Sequence, residues 1–513
     1  MNGYDVYLLS PLLTLAGLGV LVILLDLVIT RKGWLVAVAA LGLAAPTALS
    51  VVLLLDVNGQ LGAPPLTNLV HSGSVLSGSL SVDRFGLFFN FLVLTAAAVV
   101  ILASTDYIRR LDRLQGEYLG LILLSATGMM LMVSATELIT IYISLELTTL
   151  PLAALAAFLS SARSSEAGMK FLIIGAISSA IMLYGMALIF GFSGSTSLEG
   201  IAASFGPTQS QNLPFGSLAM LVGVVLLLVG FGFKLSSVPF QMWVPDVYEG
   251  APAPVVAFLS VASKAAAFAL VLRVFYTGFG AVPLDWGVLL AILAAASMTL
   301  GNLAAMTQTN LRRLFGYSAI AHAGYLLVGV AAVARDPALG GLVSSFTTLG
   351  PSSVLFYLGA YTAANLTAFC AIIAIGHRID SDQISDYAGM VRRSPFLAMA
   401  LALALIALIG VPPTSVFIAK IYIFTAAVNS GLAWLALLGV INSVVSAYYY
   451  LKVIRVMFLQ PPPATEGVQA SLAARFALTV SGAALVWMGV APGLMLAAAE
   501  SAAAVLAGVV VVP

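Results

Sequence analysis

The sequence predicts an all-α polytopic membrane protein with about fourteen transmembrane helices. Of its 513 residues, 61% are hydrophobic and only 8% are charged, whereas about 25% of the residues of an average soluble domain are charged. The mean hydropathy is +1.09. Apolar runs of about twenty residues, each long enough to cross a bilayer, follow one another and are separated by short polar loops. We therefore expect no soluble domain.

The positions of the spans follow from the apolar runs, taken in chain order. The first seven are expected at residues 7–29, 34–55, 84–105, 117–136, 138–159, 169–192 and 216–246. The next seven are expected at residues 254–275, 286–308, 313–334, 350–377, 395–429, 432–457 and 473–508. Spans seven and twelve contain prolines inside the apolar run and are expected to be broken helices. The last span is long enough to be two pieces or one tilted helix.

The composition also excludes several kinds of site. A net charge of +1 provides no basic surface for nucleic acid. The single cysteine, Cys370, excludes a disulfide framework and disfavours an iron-sulfur cluster, which usually needs four cysteines. Three histidines make a paired-histidine haem or zinc site unexpected. We expect no cofactor and no metal on this chain, and we expect no removable signal peptide, because the N-terminus lacks a basic region before its apolar run.

Lysine and arginine positions predict the orientation, because cytoplasmic loops are enriched in these residues. With fourteen spans and an outer N-terminus, fifteen basic residues fall on the inner side and three, Arg84, Arg273 and Arg335, on the outer side. The remaining three lie within spans. Both termini are therefore expected on the outer side of the membrane.

Two of the lysines within spans lie in residues 230–273. Lys234 precedes Pro239, which should break the seventh span within a few residues. The run WVPDVYEGAPAP is expected to be a loop, and Lys264 lies near the middle of the following span. A charge at mid-membrane costs about 2.5 to 3.5 kcal/mol, so these ammonium groups need compensation. The alternative is that their side chains snorkel to the interface, although Lys264 lies deep for that.

A second break resembles the first and indicates an internal repeat. The twelfth span places Pro412 and Pro413 in its middle and Lys420 just beyond. Spans four to eight and nine to thirteen then form two five-helix units, and an odd number of spans makes the two units inverted. The expected divisions are residues 1–116, 117–276, 277–459 and 460–513, which hold three spans, the two repeats and the C-terminal helix.

Glu146 is the only carboxylate deep inside a predicted span. Beside the Lys234 ammonium it would be held ionised. Movement of Glu146 toward or away from Lys234 would then change how tightly the lysine holds its proton. The alternative is a static ion pair that fixes the packing. Lys264 has no carboxylate at helical spacing, so burial favours its neutral amine and makes it a candidate proton acceptor.

His322, about ten residues into the tenth span and one turn after Ser318, is suited to a proton relay because imidazole titrates near neutrality. A structural, hydrogen-bonded role is the equal alternative. Lys420 is the candidate terminal site. Polar residues of the eleventh and thirteenth spans are secondary candidates that would organise water, or else connect helices: Tyr361, Asn365, Asn442, Ser443, Ser446 and Tyr448.

Two stretches of the chain resemble a known family. FKLSSVPFQMWVPDVYEGAPAPVVAFLSVASKAAAF and TNLRRLFGYSAIAHAGYLLVG are similar to the central segments of the antiporter-like membrane subunits of respiratory complex I. Within these, the lysine at position 420 and the absence of a long lateral helix match the subunit N family. The resemblance implies fourteen helices, inverted five-helix repeats, and proton transfer through Glu146, Lys234, Lys264 and Lys420.

The same resemblance implies a function and a location. The chain would be a proton-translocating subunit of an NADH:quinone oxidoreductase, with NADH, FMN, iron-sulfur clusters and quinone bound by other subunits. Its partners would be neighbouring membrane subunits and lipid, in the bacterial plasma membrane. Two alternatives are the photosynthetic, plastoquinone version of the complex in a thylakoid membrane, and a free-standing multisubunit sodium/proton antiporter. A third is a structural anchor whose lysines carry no protons.

Overall fold

The fold is almost entirely helical. A computed structural model describes residues 3–29, 33–60, 74–76, 78–108, 114–204, 214–280, 286–333, 348–463 and 467–506. The helices of the first half are α1 (Gly3–Leu8), α2 (Ser10–Val28), α3 (Gly33–Gly42), α4 (Ala44–Val57), α5 (Arg84–Ala103), α6 (Thr105–Ile108), α7 (Gln115–Ser134), α8 (Leu138–Ala156), α9 (Ala162–Ser193), α10 (Leu198–Ser204), α11 (Pro214–Leu235) and α12 (Val244–Gly250).

The second half continues with α13 (Ala253–Phe258), α14 (Lys264–Arg273), α15 (Trp286–Met306), α16 (Leu311–Ala331), α17 (Leu349–Ile379), α18 (Met390–Arg393), α19 (Pro395–Ile409), α20 (Ser415–Asn429), α21 (Ala433–Leu459), α22 (Leu472–Val490) and α23 (Gly493–Ala504). A short 3₁₀ turn covers Ile384–Tyr387.

Twelve helical segments in the described part of the chain are long and apolar enough to cross a membrane. Four shorter apolar helices, at Ala219–Leu235, Pro395–Ile409, Ser415–Asn429 and Gly493–Ala504, accompany them. The prediction of a polytopic helical membrane protein is confirmed. The two predicted spans that are missing from the twelve are the seventh and the twelfth, which are the two that were expected to be broken.

The seventh predicted span breaks directly after Lys234. Helix α11 ends at Leu235, and Ser236 adopts a left-handed conformation with φ of 64°. The backbone N–H of Val238, which has no helical partner, donates to Ser297 Oγ at 2.9 Å. The predicted loop after the break is wrong in its first part, because residues 244–250 form helix α12. Pro245 lies in the first turn of α12, where its missing N–H costs no hydrogen bond.

The twelfth predicted span breaks between α19 and α20. Gly410 ends α19 with φ of +90°, a conformation that favours glycine. Pro412 and Pro413 lie in the four residues that follow, and α20 resumes at Ser415. The prediction that Lys234 precedes its break and that Lys420 follows its own is confirmed.

The eighth predicted span is one helical rod made of four parts. Residues Leu259–Ser263 and Val274–Gly278 form π-helical turns on either side of α14. The first π turn ends immediately before Lys264. The sequence contains no proline or glycine at that point, so nothing in the hydrophobic pattern indicated this irregularity.

The core of the molecule lies around three segments. The most apolar parts of Ala253–Gly278 and of α17 are wholly buried, and that of α16 is almost wholly buried. Helices α2, α9 and α21 instead bury only about one third of their most apolar residues and expose others, including Leu27, Met169 and Leu437. Such exposed apolar surface is suited to contact with lipid or a neighbouring subunit.

Several boundaries differ from the prediction. The first span is divided into α1 and α2, the second is interrupted between α3 and α4, and the last is divided into α22 and α23 near Pro492. Of the two alternatives for the last span, the structure shows two pieces and not one tilted helix. The all-α prediction also missed a small hairpin, β1 (Ser74–Val75) and β2 (Leu80–Ser81), paired antiparallel.

Ion pairs fasten helix ends at two places. The Arg273 guanidinium binds Asp83 through two hydrogen bonds of 2.8 and 3.0 Å, with side chains only 5% and 14% exposed. Just after the first break, Asp246 of α12 accepts from Lys170 at 2.6 Å and from Arg313 at 2.8 Å. Burial would raise the pKa of the Asp246 carboxyl, but these two hydrogen bonds outweigh it and hold the pKa below its ordinary value.

Six basic residues used to predict the orientation lie outside the described residues: Arg31, Lys32, Arg109, Arg110, Arg113 and Arg335. The terminal residues, on which the prediction of two outer termini falls, also lie outside them.

Candidate functional site

Lys234 and Glu146 do not form a direct ion pair. Lys234 lies in the last turn of α11 and is buried, and Glu146 lies in the middle of α8 and is partly buried. The Glu146 carboxylate favours the charged lysine electrostatically. However, the ion pairs of the described residues do not include this pair. The pairing of Glu146 with Lys234 therefore stays a prediction.

The partner of the Lys234 side chain is instead Thr149. The Lys234 Nζ donates to Thr149 Oγ1 at 2.6 Å. The ring of Phe171 lies 5.8 Å from the same nitrogen, within the range of a cation–π contact. Behind it, Trp243 packs on Phe171 and donates from Nε1 to the carbonyl oxygen of Phe233 at 3.2 Å. Aromatic rings thus close the break on this side.

Lys264 is buried in the centre of the molecule. Its Nζ donates to the carbonyl oxygen of Ala319 on α16 at 2.5 Å and lies 5.7 Å from the centre of the Tyr361 ring. The π turn that ends at Ser263 sets the rotation of α14, and therefore the direction of this side chain, relative to α13. Lys264 thus points from the eighth predicted span toward the tenth and eleventh.

His322 lies between Lys264 and Lys420 and is held at both ring nitrogens. Its Nδ1 is 2.8 Å from Tyr357 Oη, and its Nε2 is 3.5 Å from Tyr450 Oη. The Tyr361 ring contacts both His322 and Lys264, and the Tyr325 ring contacts both His322 and Lys420. Because each tyrosine hydroxyl can donate and accept, the ring can be hydrogen-bonded in either tautomer. His322 is therefore placed where a proton could arrive on one side and leave on the other.

Tyr361 contacts His322 directly, and Ser318 is connected to it through Tyr450. Ser318 Oγ forms a hydrogen bond with Tyr450 Oη, which extends the chain of hydroxyls by one member. The Tyr361 ring lies 5.0 Å from the His322 ring, and Asn365, one turn further along α17, is buried. Tyr361 therefore contacts both His322 and Lys264.

Lys420 occupies the second break. Its Nζ donates to the carbonyl oxygens of Leu408 and Ile409 at 3.2 and 2.8 Å. These carbonyls belong to the last turn of α19, where the helix provides no backbone partner and the helix dipole is negative. The ring of Tyr325 lies 4.9 Å from Nζ. The Pro412–Pro413 break thus creates the acceptors that a buried lysine requires.

A second group of polar residues lies beside Tyr325. Asn302 Nδ2 donates to Tyr325 Oη at 3.2 Å and Tyr449 Oη donates to Asn302 Oδ1 at 3.0 Å. Asn442, predicted as a water-organising residue, contacts Asn302 at 3.4 Å. The same prediction is wrong for Tyr448, because its side chain is 58% exposed on the surface of α21 and does not face the interior. Its neighbours Tyr449 and Tyr450 are the residues that enter the core.

Sequence reasoning missed Thr149, Tyr357 and Tyr450. Helical spacing would have found two of them, since Thr149 lies three residues after Glu146 and Tyr357 lies four residues before Tyr361. Tyr450 follows Asn442 and Ser446 at the same kind of spacing. A run of three tyrosines at 448–450 does not by itself reveal which one faces inward.

The polar residues fall into two groups. Lys264, His322 and Lys420 belong to one, connected through tyrosines. Lys234, Thr149 and Glu146 form the other, and the hydrogen bonds and ring contacts of the described residues do not join it to the first. Within these residues, no group of three or more His, Cys, Asp or Glu side chains could hold a metal ion.

Similarity to known proteins assigns the family. The family model described as "NADH:quinone oxidoreductase/Mrp antiporter, TM" matches residues 135–446, which include all five candidate residues. Subunit N of NADH-quinone oxidoreductase from Dehalococcoides mccartyi is 42% identical over 491 residues, covering 94% of this chain and 96% of that protein. The chain belongs to the subunit N family of NADH-quinone oxidoreductase. It is thus an antiporter-like membrane subunit of the complex I type.

Further relatives of the subunit agree. Subunit N from Moorella thermoacetica is 43% identical over 426 residues, covering 82% of this chain and 85% of that protein. A chain of respiratory complex I from Thermus thermophilus, solved with bound aureothin, superposes with a TM-score of 0.76 at 32% identity, covering 95% and 98% of the two chains.

A chain of the Mrp complex from Dietzia sp. DQ12-45-1b has a TM-score of 0.80 at 20% identity, covering 98% of this subunit and 97% of that chain. That likeness concerns the fold alone. The family assignment therefore favours the complex I interpretation over a free-standing antiporter.

Proposed function

We propose that this subunit carries protons across the membrane through Glu146, Lys234, Lys264, His322 and Lys420, driven by electron transfer on other subunits. The observation that supports this most directly is the position of His322, which is hydrogen-bonded at both nitrogens and is connected by single tyrosine rings to two buried lysines. Ionisable groups inside a membrane protein are expensive to bury and commonly mark a proton or ion pathway. We propose the coupling to quinone reduction because the chain belongs to a family of NADH-quinone oxidoreductase subunits.

The separated Glu146–Lys234 pair would be the step that responds to the rest of the complex. With an effective dielectric constant of 20, an opposite charge stabilises an ammonium by about 4 kcal/mol at 4 Å and about 2 kcal/mol at 8 Å. Closing or opening the pair over that range changes the proton-binding constant of the lysine about thirtyfold. A movement of a few ångströms in α8 or in the Lys234 side chain is therefore enough to load or release a proton.

The second half of the pathway would run through hydroxyl groups. A proton on Lys264 would pass to His322 past Tyr361, whose ring contacts both residues. Tyr450 with Ser318 offers an exchangeable hydroxyl chain at the Nε2 side. Lys420 lies on the far side of His322, against the freed carbonyls of α19. Transfer between Lys234 and Lys264 needs water, because no side chain in the described residues bridges them.

We also propose the two inverted five-helix repeats, at residues 117–276 and 277–459, flanked by residues 1–116 and 460–513. The support is that each proposed repeat contains one broken helix with a buried lysine at the break. With fourteen crossings, both termini would lie on the outer side of a bacterial plasma membrane. The partners would be other complex I subunits and lipid, with NADH, FMN, iron-sulfur clusters and quinone on those subunits.

The test is a Lys234→Ala variant in membrane vesicles, with assembly of the whole complex verified. Proton pumping and NADH:quinone electron transfer are measured side by side. Loss of both activities, or of pumping alone, is expected. A matched control is Lys452→Ala, since Lys452 is only partly buried and lies outside the proposed pathway. Full retention of both activities in the Lys234→Ala complex would exclude Lys234 as a coupled proton site.

A further inference from the structure

We propose that Thr149 is a positioning residue, a second binding place for the Lys234 ammonium that competes with Glu146. This inference rests on the proposed function and adds a residue to it. Opening of the Glu146–Lys234 pair would then be an exchange of one oxygen ligand for another, and not the release of a bare charge into an apolar core.

The first support is the contact itself. Lys234 Nζ lies 2.6 Å from Thr149 Oγ1, and the residues are separated by 85 positions in sequence, so helix packing alone brings them together. Thr149 is buried, as is Lys234. A buried ammonium without any acceptor would cost far more than one that keeps a charge-assisted hydrogen bond. Thr149 therefore supplies the acceptor that Lys234 needs when it is not paired.

The second support is the hydrogen-bonding role left to this hydroxyl. Thr149 Oγ1 donates its own proton to the carbonyl oxygen of Leu145 at 2.6 Å. Its only hydrogen is thereby used within α8, and the oxygen presents lone pairs to Lys234. The hydroxyl is fixed as an acceptor, which suits an ammonium donor and gives Thr149 no proton to add to the pathway.

The third support is the distance between the two binding places. Glu146 and Thr149 are three residues apart on α8, so they lie on neighbouring parts of one helix face and about 4.5 Å apart along the helix axis. The four-carbon stem of a lysine can cover such a distance by rotation of its side chain. Phe171 lies 5.8 Å from Nζ and supports the ammonium in the Thr149 position.

The Glu146–Lys234 pair can then close and open without any movement of α8 against α11. In the Glu146 position the lysine would hold its proton tightly, because the carboxylate carries a full negative charge. In the Thr149 position that attraction is weaker, which favours release of the proton toward Lys264. Removal of the hydroxyl would leave Glu146 as the better ligand, hold the pair closed and slow proton release.

The test compares three variants in the assembled complex. Thr149→Val removes the hydroxyl at nearly constant volume, and Thr149→Ser keeps it. Thr148→Val is the matched control, because Thr148 is also buried on α8 and makes the same kind of backbone bond, to the Ser144 carbonyl at 2.9 Å, without contacting a lysine. Pumping coupled to electron transfer is measured for each, and the Thr149→Val complex is solved to locate the Lys234 side chain.

Thr149→Val is expected to lower coupled pumping about tenfold or more, the effect of losing a hydrogen bond to a charged group. Thr149→Ser and Thr148→Val should stay within about twofold of the unchanged complex. In the Thr149→Val structure the Lys234 nitrogen should lie against Glu146.

Equal losses in Thr149→Val and Thr148→Val, no recovery with Thr149→Ser, or a lysine that stays away from Glu146 would overturn the proposal. Lys234→Ala separates the two hypotheses. If that variant stops pumping while Thr149→Val does not, Thr149 is not a binding place and the pathway stands. If Lys234→Ala pumps fully, the proposed function itself fails.

Discussion

The buried ion pair between Asp83 and Arg273 provides a sharp test of how this subunit is held together. Asp83 precedes α5, and its Oδ1 also accepts from the backbone N–H of Gly86 at 2.7 Å, as an N-cap. Arg273 ends α14 and donates from Nε to the carbonyl oxygen of Val133 on α7 at 3.0 Å. One guanidinium thus connects three helices. Asp83→Asn keeps the shape and the cap but removes the charge.

The expected cost of Asp83→Asn is about 3 kcal/mol, the lower end of the range for leaving a buried charge unpaired. The lower end applies because Asp83 is 14% exposed and not fully enclosed. That loss reduces the folded-to-unfolded ratio more than a hundredfold. Asp83→Ala should cost about 1 kcal/mol more, because the N-cap is lost as well. The double variant Asp83→Asn/Arg273→Met, which removes both charges, should recover most of the loss.

The assay is the heat-inactivation midpoint of the assembled complex in membranes, together with the amount of subunit retained after heating. The double variant serves as the control for changes in shape. Two results would contradict this reasoning. Asp83→Asn could be as heat-resistant as the unchanged subunit, or the loss of stability in the double variant could equal the sum of the losses in the two single variants.

Two further predictions concern Tyr450 in the interior and Asp246 on α12. Tyr450→Phe removes the hydroxyl beside His322 Nε2 and should lower coupled pumping, whereas Tyr448→Phe, on the exposed face of the same helix, should leave pumping unchanged. Because the folded-state pKa of Asp246 is depressed, its stabilising effect is present above the unfolded pKa, 3.8, and disappears as the pH falls through the lower folded value. The heat-inactivation midpoint of Asp246→Asn should therefore be lower than that of the unchanged subunit near pH 7, and this difference should shrink in acid. A constant difference down to acidic pH would contradict this reasoning.

Much of the fold was predictable because the bilayer imposes a strong constraint on composition. An apolar run of about twenty residues has few alternatives to a membrane helix. Pro239, Pro412 and Pro413 interrupt a helix wherever they occur in its interior, because proline lacks the backbone N–H. Helix α12 was not predictable in the same way. Its sequence, VPDVYEG, contains a proline and a glycine, and it becomes helical where its ion pairs with α9 and α16 hold it.

The candidate site was predictable in its charges and not in its hydroxyls. A lysine inside an apolar run is conspicuous because burial of its charge needs a reason. A threonine or tyrosine there does not stand out. The threonine hydroxyl can donate to a backbone carbonyl of its own helix, and the tyrosine ring can pack like any other aromatic ring. Thr149 and Tyr450 gain importance only from a partner on another helix, 85 and 128 residues away along the chain. Single-sequence patterns do not contain those distances.

The rod at residues 253–278 meets a different environment during membrane insertion from the one it has in the folded subunit. It is buried in the finished subunit, so packing alone would permit a more polar helix there. During synthesis, however, it must leave the translocon for lipid with Lys264 in its middle, at a cost of about 3 kcal/mol. Its eleven valine, leucine and phenylalanine residues, at about −0.3 to −0.6 kcal/mol each, offset that cost. Polar substitutions in this helix would therefore do their damage during biosynthesis, before the neighbouring helices that later shield it have assembled.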